Sequence, residues 1–269
     1  MGAMKYDLAV LAKRAAKRRR SFVVLRDIVP PAVFSTNLYL ACYKPALDVW
    51  ARYVPRILDQ YERTLSSMTT DAAADVQGEI GQAQSELQRL VLLLRPSLRD
   101  WALRTEGWFR GKWRGAVLSA TGVDLQTLIG PEDVQETLET IVEWNVNLVR
   151  DVSDQARQRI SNAVFDGLRN RTPAREVAAK IQEATGMAKR RSVAIASDQL
   201  TKLTSSLASE RRREAGIDKW QWRHSGKLHP REDHKARNGK IYDDETAPQD
   251  PPGRLPYCGC RELAVIEFD

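Results

Sequence analysis

Up to Ala215, nearly every stretch of this 269-residue chain spaces its apolar side chains at the 3.6-residue period of a helix, and from Gly216 onward that period is gone. The switch limits the possible folds more than any other feature. The first part must bury helix faces against one another. In the remainder, Trp, Tyr, Ile and Val are separated by Gly, Pro, Asn and Asp, which is the pattern of short strands and turns. The expected fold class is therefore mainly α with a small C-terminal α+β module: an elongated helical bundle followed by a compact β-rich head. Three consecutive segments are expected: a basic arm and helical hairpin at 1–95, a helical region at 96–216, and a β-rich module at 217–269.

Residues 5–20 place Leu8, Leu11 and Ala15 on one helical face and Lys13, Arg14, Lys17 and Arg18 on the other, running into Arg19 and Arg20. This basic arm is either a solvated first helix or a device that neutralises phosphates or docks on an acidic surface. Helical patterning returns over 37–67, with Pro45 and Pro55 marking helix starts or kinks. Over 71–94, Val76, Ile80, Ala83, Leu87, Leu90, Val91 and Leu94 share a face despite Gly78 and Gly81. Pro96 starts a helix in which Trp101, Trp108 and Trp113 sit among Arg99, Arg104, Arg110, Lys112 and Arg114. Core anchoring with Arg over the ring edges explains that mixture better than base stacking. Gly130-Pro131-Glu132-Asp133 is a helix start, and its helix is expected to end near Arg150. Further helices are expected at 153–168, from Thr172-Pro173 to a stop at Gly186, and at 188–215. Asn238-Gly239 predicts a hairpin, and residues 243–252 an exposed acidic, proline-rich loop.

A net charge of +7 calls for an anionic partner, either nucleic acid or an acidic protein surface. Three cysteines, two of them in Cys258-Gly259-Cys260, make no disulfide framework and fit a reducing compartment. No apolar run approaches the roughly 20 residues that span a bilayer, and no signal-peptide core follows the first basic residues. A soluble intracellular protein is the expectation.

All three histidines and two of the three cysteines fall in the closing block. Cys258, Cys260 and His234, joined by His224 or His229, make a candidate zinc set. In an extended strand, Cys-x-Cys would point its sulfurs to opposite faces, so shared ligation needs a turn, which Gly259 permits. Buried apolar thiols and a hydrogen-bonded core histidine are the favoured reading of the same residues, with no cofactor expected. A metal-dependent nuclease using His229, Asp233 and His234 with the cysteines is the alternative function. It lacks a downstream histidine, because His234 is the last in the chain, and no catalysis is expected. An architectural account suits the block better. Trp220 and Trp222 alternate as in a half-buried strand, while Arg231 and His234 hydrogen-bond loop carbonyls and pin residues 251–260 against the sheet. The clusters Lys189, Arg190, Arg191 and Arg211, Arg212, Arg213 are candidate contacts for DNA or a partner, or else solvated helix ends.

Several ordered features carry a resemblance over residues 121–263. Asn145-Val146-Asn147-Leu148 precedes a short connector, and Thr172-Pro173 opens a long helix running past Lys189-Arg190-Arg191. The closing set is Trp222, Arg231, His234, Asn238-Gly239, Pro251-Pro252 and Cys258/Cys260. In these the chain resembles the phage head morphogenesis, or minor head protein, family typified by the Mu F-like proteins of tailed phages. It departs from that pattern at Ala196-Ser197-Asp198, where members commonly have Arg-Thr-Glu, and at Gly259, where Cys-Arg-Cys is usual. The resemblance implies a non-enzymatic virion protein present in few copies inside the capsid at the portal vertex, assembled in the bacterial host cytoplasm. It implies the portal protein, the major capsid or scaffolding protein and phage double-stranded DNA as partners, and roles in head assembly, packaging or genome delivery. Residues 1–95 carry no part of it.

Overall fold

The computed structural model describes residues 4–15, 21–67 and 72–268. In chain order these form helix α1 (Leu8–Ala15), strand β1 (Phe22–Val24), α2 (Ala32–Leu38), α3 (Lys44–Ser67), α4 (Ala72–Leu93), α5 (Arg95–Thr121), α6 (Gln135–Arg169), α7 (Ala174–Glu214), β2 (Lys219–Arg223), α8 (Glu232–Ala236), β3 (Ile241–Tyr242) and β4 (Arg261–Glu267). A π-helical turn at Tyr39–Tyr43 joins α2 to α3, and a 3-10 turn at Pro131–Val134 leads into α6. The protein is thus mainly α with a small antiparallel sheet. Among the described residues no helix is long and apolar enough to cross a membrane.

Two helices are longer than the sequence suggests. Helix α6 continues through residues 151–153, because Val142, Val146, Val149, Val152, Ala156 and Ile160 keep one buried face in phase across that point. Helix α7 likewise runs through Gly186. A mid-helix glycine costs only about 1 kcal/mol, and Val177, Ile181, Ala184, Ala188 and Ile195 are buried on both sides of it. Pro55 lies inside α3 and starts no helix, whereas Pro45 sits in its first turn, directly after the π-helical turn at Tyr39–Tyr43.

The chain folds as two compact, discontinuous units. One comprises Ser35–Asp100 and Val142–Ala196. Its α3 and α4 form a hairpin in which Val49, Trp50, Ile57 and Tyr61 are buried, together with Val76, Ile80, Ala83, Leu87 and Val91. Polar groups tie in the remaining segments. Tyr43 Oη donates to Asn145 Oδ1 (2.9 Å), Trp50 Nε1 to Ser153 Oγ (3.2 Å) and Tyr61 Oη to the Thr172 carbonyl (2.5 Å). Each gives a polar group partner to a side chain that burial would otherwise penalise.

The other unit comprises Met1–Phe34, Trp101–Ile141 and Ser197–Asp269. Its sheet has the order β1-β4-β2-β3 and is antiparallel throughout. Strand β4 lies inside, pairing Val24 with Val265 on one edge and Trp222 with Glu262 on the other. The consecutive residues Leu263 to Ile266 are all buried, so both faces of β4 are covered. Because β1 comes from the start of the chain, the sheet is not confined to residues 217–269, and the two units cut across the three consecutive segments expected from sequence. Among the aromatic residues of α5, Trp101 and Trp113 are core anchors. Trp101 Nε1 donates to the Phe34 carbonyl at 2.8 Å, and Trp108 tilts against the Phe34 ring.

Two arginines at the end of α7 sit within this unit, and they correct the sequence reading. Arg211 and Arg212, expected to face DNA or a partner, are 0% and 1% exposed. Arg211 bonds Glu106 (2.8 Å), Glu214 (2.8 Å), Asp133 (3.2 Å) and the Gly130 carbonyl (2.6 Å). Arg212 takes the carbonyls of Ile217 and Asp218 and the carboxylate of Asp244, with Glu262 3.5 Å away. A buried guanidinium is tolerated only when its donors are matched in this way, so neither group is available to a phosphate. Burial pushes the Glu262 carboxyl up to about 7 even though Arg212 and Arg213 pull it down. Removing one member of such a network leaves opposite charges buried and unpaired. Arg211→Ala is therefore expected to lower unfolding stability by about 3–5 kcal/mol, and Arg211→Lys to recover only part of the loss because one ammonium cannot span four acceptors. Urea unfolding followed by far-UV circular dichroism measures both; a loss below about 1 kcal/mol for the alanine variant contradicts the network's role.

Candidate metal centre

Strand β2 alternates as the sequence predicts: Trp220 and Trp222 are buried, and Lys219, Gln221 and Arg223 are not. The two indoles form a cluster with Cys258 and Cys260, closed by Tyr242, Ala247 and Leu255. Asn238-Gly239 does not make a two-residue hairpin. It ends the excursion through α8 that separates β2 from β3. Gly239, at φ +82°, supplies the left-handed turn, and its N–H donates to the Trp222 carbonyl at 2.8 Å. Asn238 Oδ1 accepts the His224 N–H at 2.9 Å.

Helix α8 presents His234 to this cluster, where it is 2% exposed and its ring stands edge-on to Trp222. His234 Nε2 lies 2.9 Å from Asp250 Oδ2, and Nδ1 lies 3.5 Å from Cys258 Sγ and 3.7 Å from Cys260 Sγ. Burial pushes the Asp250 carboxyl up, but hydrogen bonds from His234 and from Arg237 (2.6 Å) outweigh that effect and hold it below the usual carboxylate range. An ionised carboxylate only accepts, so His234 Nε2 donates the hydrogen in that bond, and Nδ1 faces the two sulfurs. The sulfurs are unequal. A hydrogen bond from the Cys260 thiol, aided by the Gly253 N–H and by His234, pulls the Cys258 thiol below its ordinary range against the effect of burial. The Cys260 thiol is pushed up by Cys258 and by burial.

Loop 251–260 is pinned from several sides. Arg231 donates to the Pro256 carbonyl (3.1 Å), Lys227 to that of Tyr257 (2.6 Å), and Lys202 to those of Gly253 (3.2 Å) and Arg254 (2.9 Å). Asp198, at a position where the chain departs from the expected pattern, accepts the Tyr257 N–H at 2.5 Å. Tyr257 itself has φ +59°. Of the pair expected on loop carbonyls, only Arg231 takes one; His234 bonds a carboxylate instead.

Among the described residues, His234, Cys258 and Cys260 form the one group of His, Cys, Asp and Glu side chains close enough to share an ion, with donor atoms all within 4.8 Å of one another. The other histidines stand outside it: His224 Nδ1 accepts the Gly226 N–H, and His229 is exposed. Asp233 is exposed too, so His229, Asp233 and His234 do not converge as the nuclease alternative needs. Cys–His–Asp connectivity is also that of a thiol hydrolase, but Cys258 and Cys260 are 3% and 2% exposed, out of reach of a substrate. Sequence reasoning missed Asp250, Arg237, Asp198 and Lys202. Asp250 lay in the stretch taken for an exposed loop, and nothing local marks it as the partner of His234.

The basic residues are dispersed. Lys189, Arg190 and Arg191 are exposed on α7, where Arg191 bonds Gln155. Arg213 is partly buried and pairs with Asp244, and Lys13 is exposed on α1. Lys17, Arg18, Arg19, Arg20 and the Arg14 side chain lie outside the described residues.

Residues 158–263, which contain α7, the loop and the whole His–Cys group, match the family described as Phage Mu protein F like protein. An "Uncharacterized protein" of Haemophilus influenzae (strain ATCC 51907 / DSM 11121 / KW20 / Rd) is 27% identical over 150 residues, covering 55% of this chain and 34% of that protein. The aligned stretch therefore spans about a third of that relative's length. No solved structure matches the chain.

Gly253 tests how tightly the loop is held. It has φ +80°, and a Cβ there would collide with the Ser205 side chain. Gly253→Ala is expected to cost more than about 1 kcal/mol and to speed thiol labelling of Cys258, because strain and collision act together. Denaturant unfolding and timed maleimide labelling check this, and wild-type values for both would refute the pinned loop.

Proposed function

We propose that this chain, whose residues 158–263 are a Phage Mu F-like segment, is a minor head protein that serves in phage head morphogenesis. It docks on the portal protein at the portal vertex inside the capsid, after assembly in the bacterial host cytoplasm. There it assists head assembly, DNA packaging or genome delivery, with the major capsid or scaffolding protein as a further neighbour. The single observation that carries the reading is the family match, since it coincides with the folded segment that builds the β-rich module and its pinned loop. The module supports a docking role physically: loop 251–260 is fixed by side-chain bonds from Asp198, Lys202, Lys227 and Arg231, and a pre-ordered surface loses little entropy on association.

Phage double-stranded DNA is the second partner, held through phosphates without sequence preference. The charge of +7 supports it, and with Arg211 and Arg212 buried the contact falls to Lys189, Arg190 and Arg191 on α7 and to Lys13 on α1. The role is structural, not catalytic, in keeping with sulfurs sealed from solvent and a dispersed His229, Asp233 and His234.

Co-expression with a tailed-phage portal protein, followed by native mass spectrometry, is the test. Co-migration with the portal oligomer is expected; a chain that stays apart from the portal contradicts the docking role. In DNA titrations the Lys189→Ala/Arg190→Ala/Arg191→Ala variant should flatten the salt dependence by up to about 2.7 in log K against log salt. An unchanged slope removes that helix from the contact, and metal-dependent cleavage of plasmid DNA would replace the structural reading with a nuclease.

A further inference from the structure

We propose that His234 Nδ1, Cys258 Sγ and Cys260 Sγ together bind one zinc ion, which fastens loop 251–260 to α8 and β2. Two sulfurs and one imidazole are the donors zinc prefers, while magnesium and calcium take oxygen. The spacing fits as well as the donor types. Tetrahedral coordination with Zn–S of about 2.3 Å and Zn–N of about 2.0 Å sets sulfur and nitrogen roughly 3.5 Å apart. The two separations here are 3.5 Å and 3.7 Å.

The surroundings are those of a metal-binding histidine. Asp250 holds the far nitrogen at 2.9 Å and is itself held by Arg237 at 2.6 Å, a carboxylate–histidine pairing that fixes both ring orientation and tautomer for the nitrogen facing the metal. Asp250 lies on the opposite side of the ring from the sulfurs and is no ligand. Between Cys258 and Cys260 the backbone is not part of strand β4, and both sulfurs face one nitrogen. The side chains of Ser225 and Lys227 lie over Gly259, where a Cβ would meet Lys227 Cε at 2.9 Å and Ser225 Cβ at 3.0 Å. Trp222 closes the site, its ring set edge-on to that of His234. Three protein donors leave the fourth tetrahedral position to water. The centre stands on side-chain geometry alone and holds whether or not the chain serves in head assembly.

The full chain, purified without a histidine tag, is weighed by native mass spectrometry and assayed for metal by elemental analysis. One zinc per chain is expected, with none retained by Cys258→Ser, Cys260→Ser or His234→Gln. Such variants can fail to fold, so two further readouts decide the matter. Cobalt(II) added to the wild-type apoprotein should give the near-ultraviolet thiolate-to-metal charge-transfer absorption of sulfur ligation. Asp250→Asn should keep the fold and the stoichiometry while weakening zinc affinity on the order of 10- to 100-fold, as expected of a positioning residue. A wild-type chain that folds without metal and takes no zinc from a micromolar-affinity chelator overturns the proposal. So does a mass two hydrogens lighter that shows Cys258 and Cys260 joined as a disulfide.

Discussion

The guanidinium groups of Arg211 and Arg212 bring helix and sheet together within the unit that carries the His–Cys group. Arg211 gathers Glu106 of α5, Asp133 of the 3-10 turn and Glu214 of α7, while Arg212 reaches past the helix end to the carbonyls of Ile217 and Asp218 and to Asp244. Both groups are out of water, where a charge is costly unless paired, and in each the two terminal nitrogens donate to carboxylates and backbone carbonyls. Their geometry fixes where α7 ends and where β2 begins. From β2 onward the sheet is set by pairing: β4 bonds β2 on one side and β1 on the other, so the first and last parts of the chain close one sheet.

On that frame the closing loop is held by side chains more than by backbone ladders. Asp198 and Lys202 come from α7, Lys227 and Arg231 from the segment after β2, and His234 from α8. All but His234 bond backbone groups of the loop, whereas His234 lies against its two sulfurs. An ion among the sulfurs and imidazole would add the one cross-link the loop otherwise lacks.

Much of this was legible in the sequence. The helical region, the alternation of Trp220 and Trp222 and the grouping of His234 with Cys258 and Cys260 all follow from residue type and local spacing. What was not legible depends on partners far away in the chain. Strand β1 is only three residues long and acquires meaning from Val265 and its neighbours near the other end. Arg211 and Arg212 have the local pattern of a solvated charge run, and only Glu106, Asp133, Asp244 and the carbonyls of Gly130, Ile217 and Asp218 hold them in the interior. Asp250 sits in an acidic, proline-rich stretch typical of exposed loops, and its role comes from a histidine 16 residues earlier. Gly186 and residues 151–153 look like helix ends locally, but the buried faces of α6 and α7 continue through them.

Zinc K-edge X-ray absorption on the full wild-type chain tests the centre most directly, because it reads the identity and distance of the donors. The account predicts a mixed shell of two sulfurs at about 2.3 Å and lighter donors at about 2.0 Å, with the outer-shell scattering of a single imidazole. A shell of nitrogen and oxygen alone, or a protein with no zinc edge above background, would contradict it.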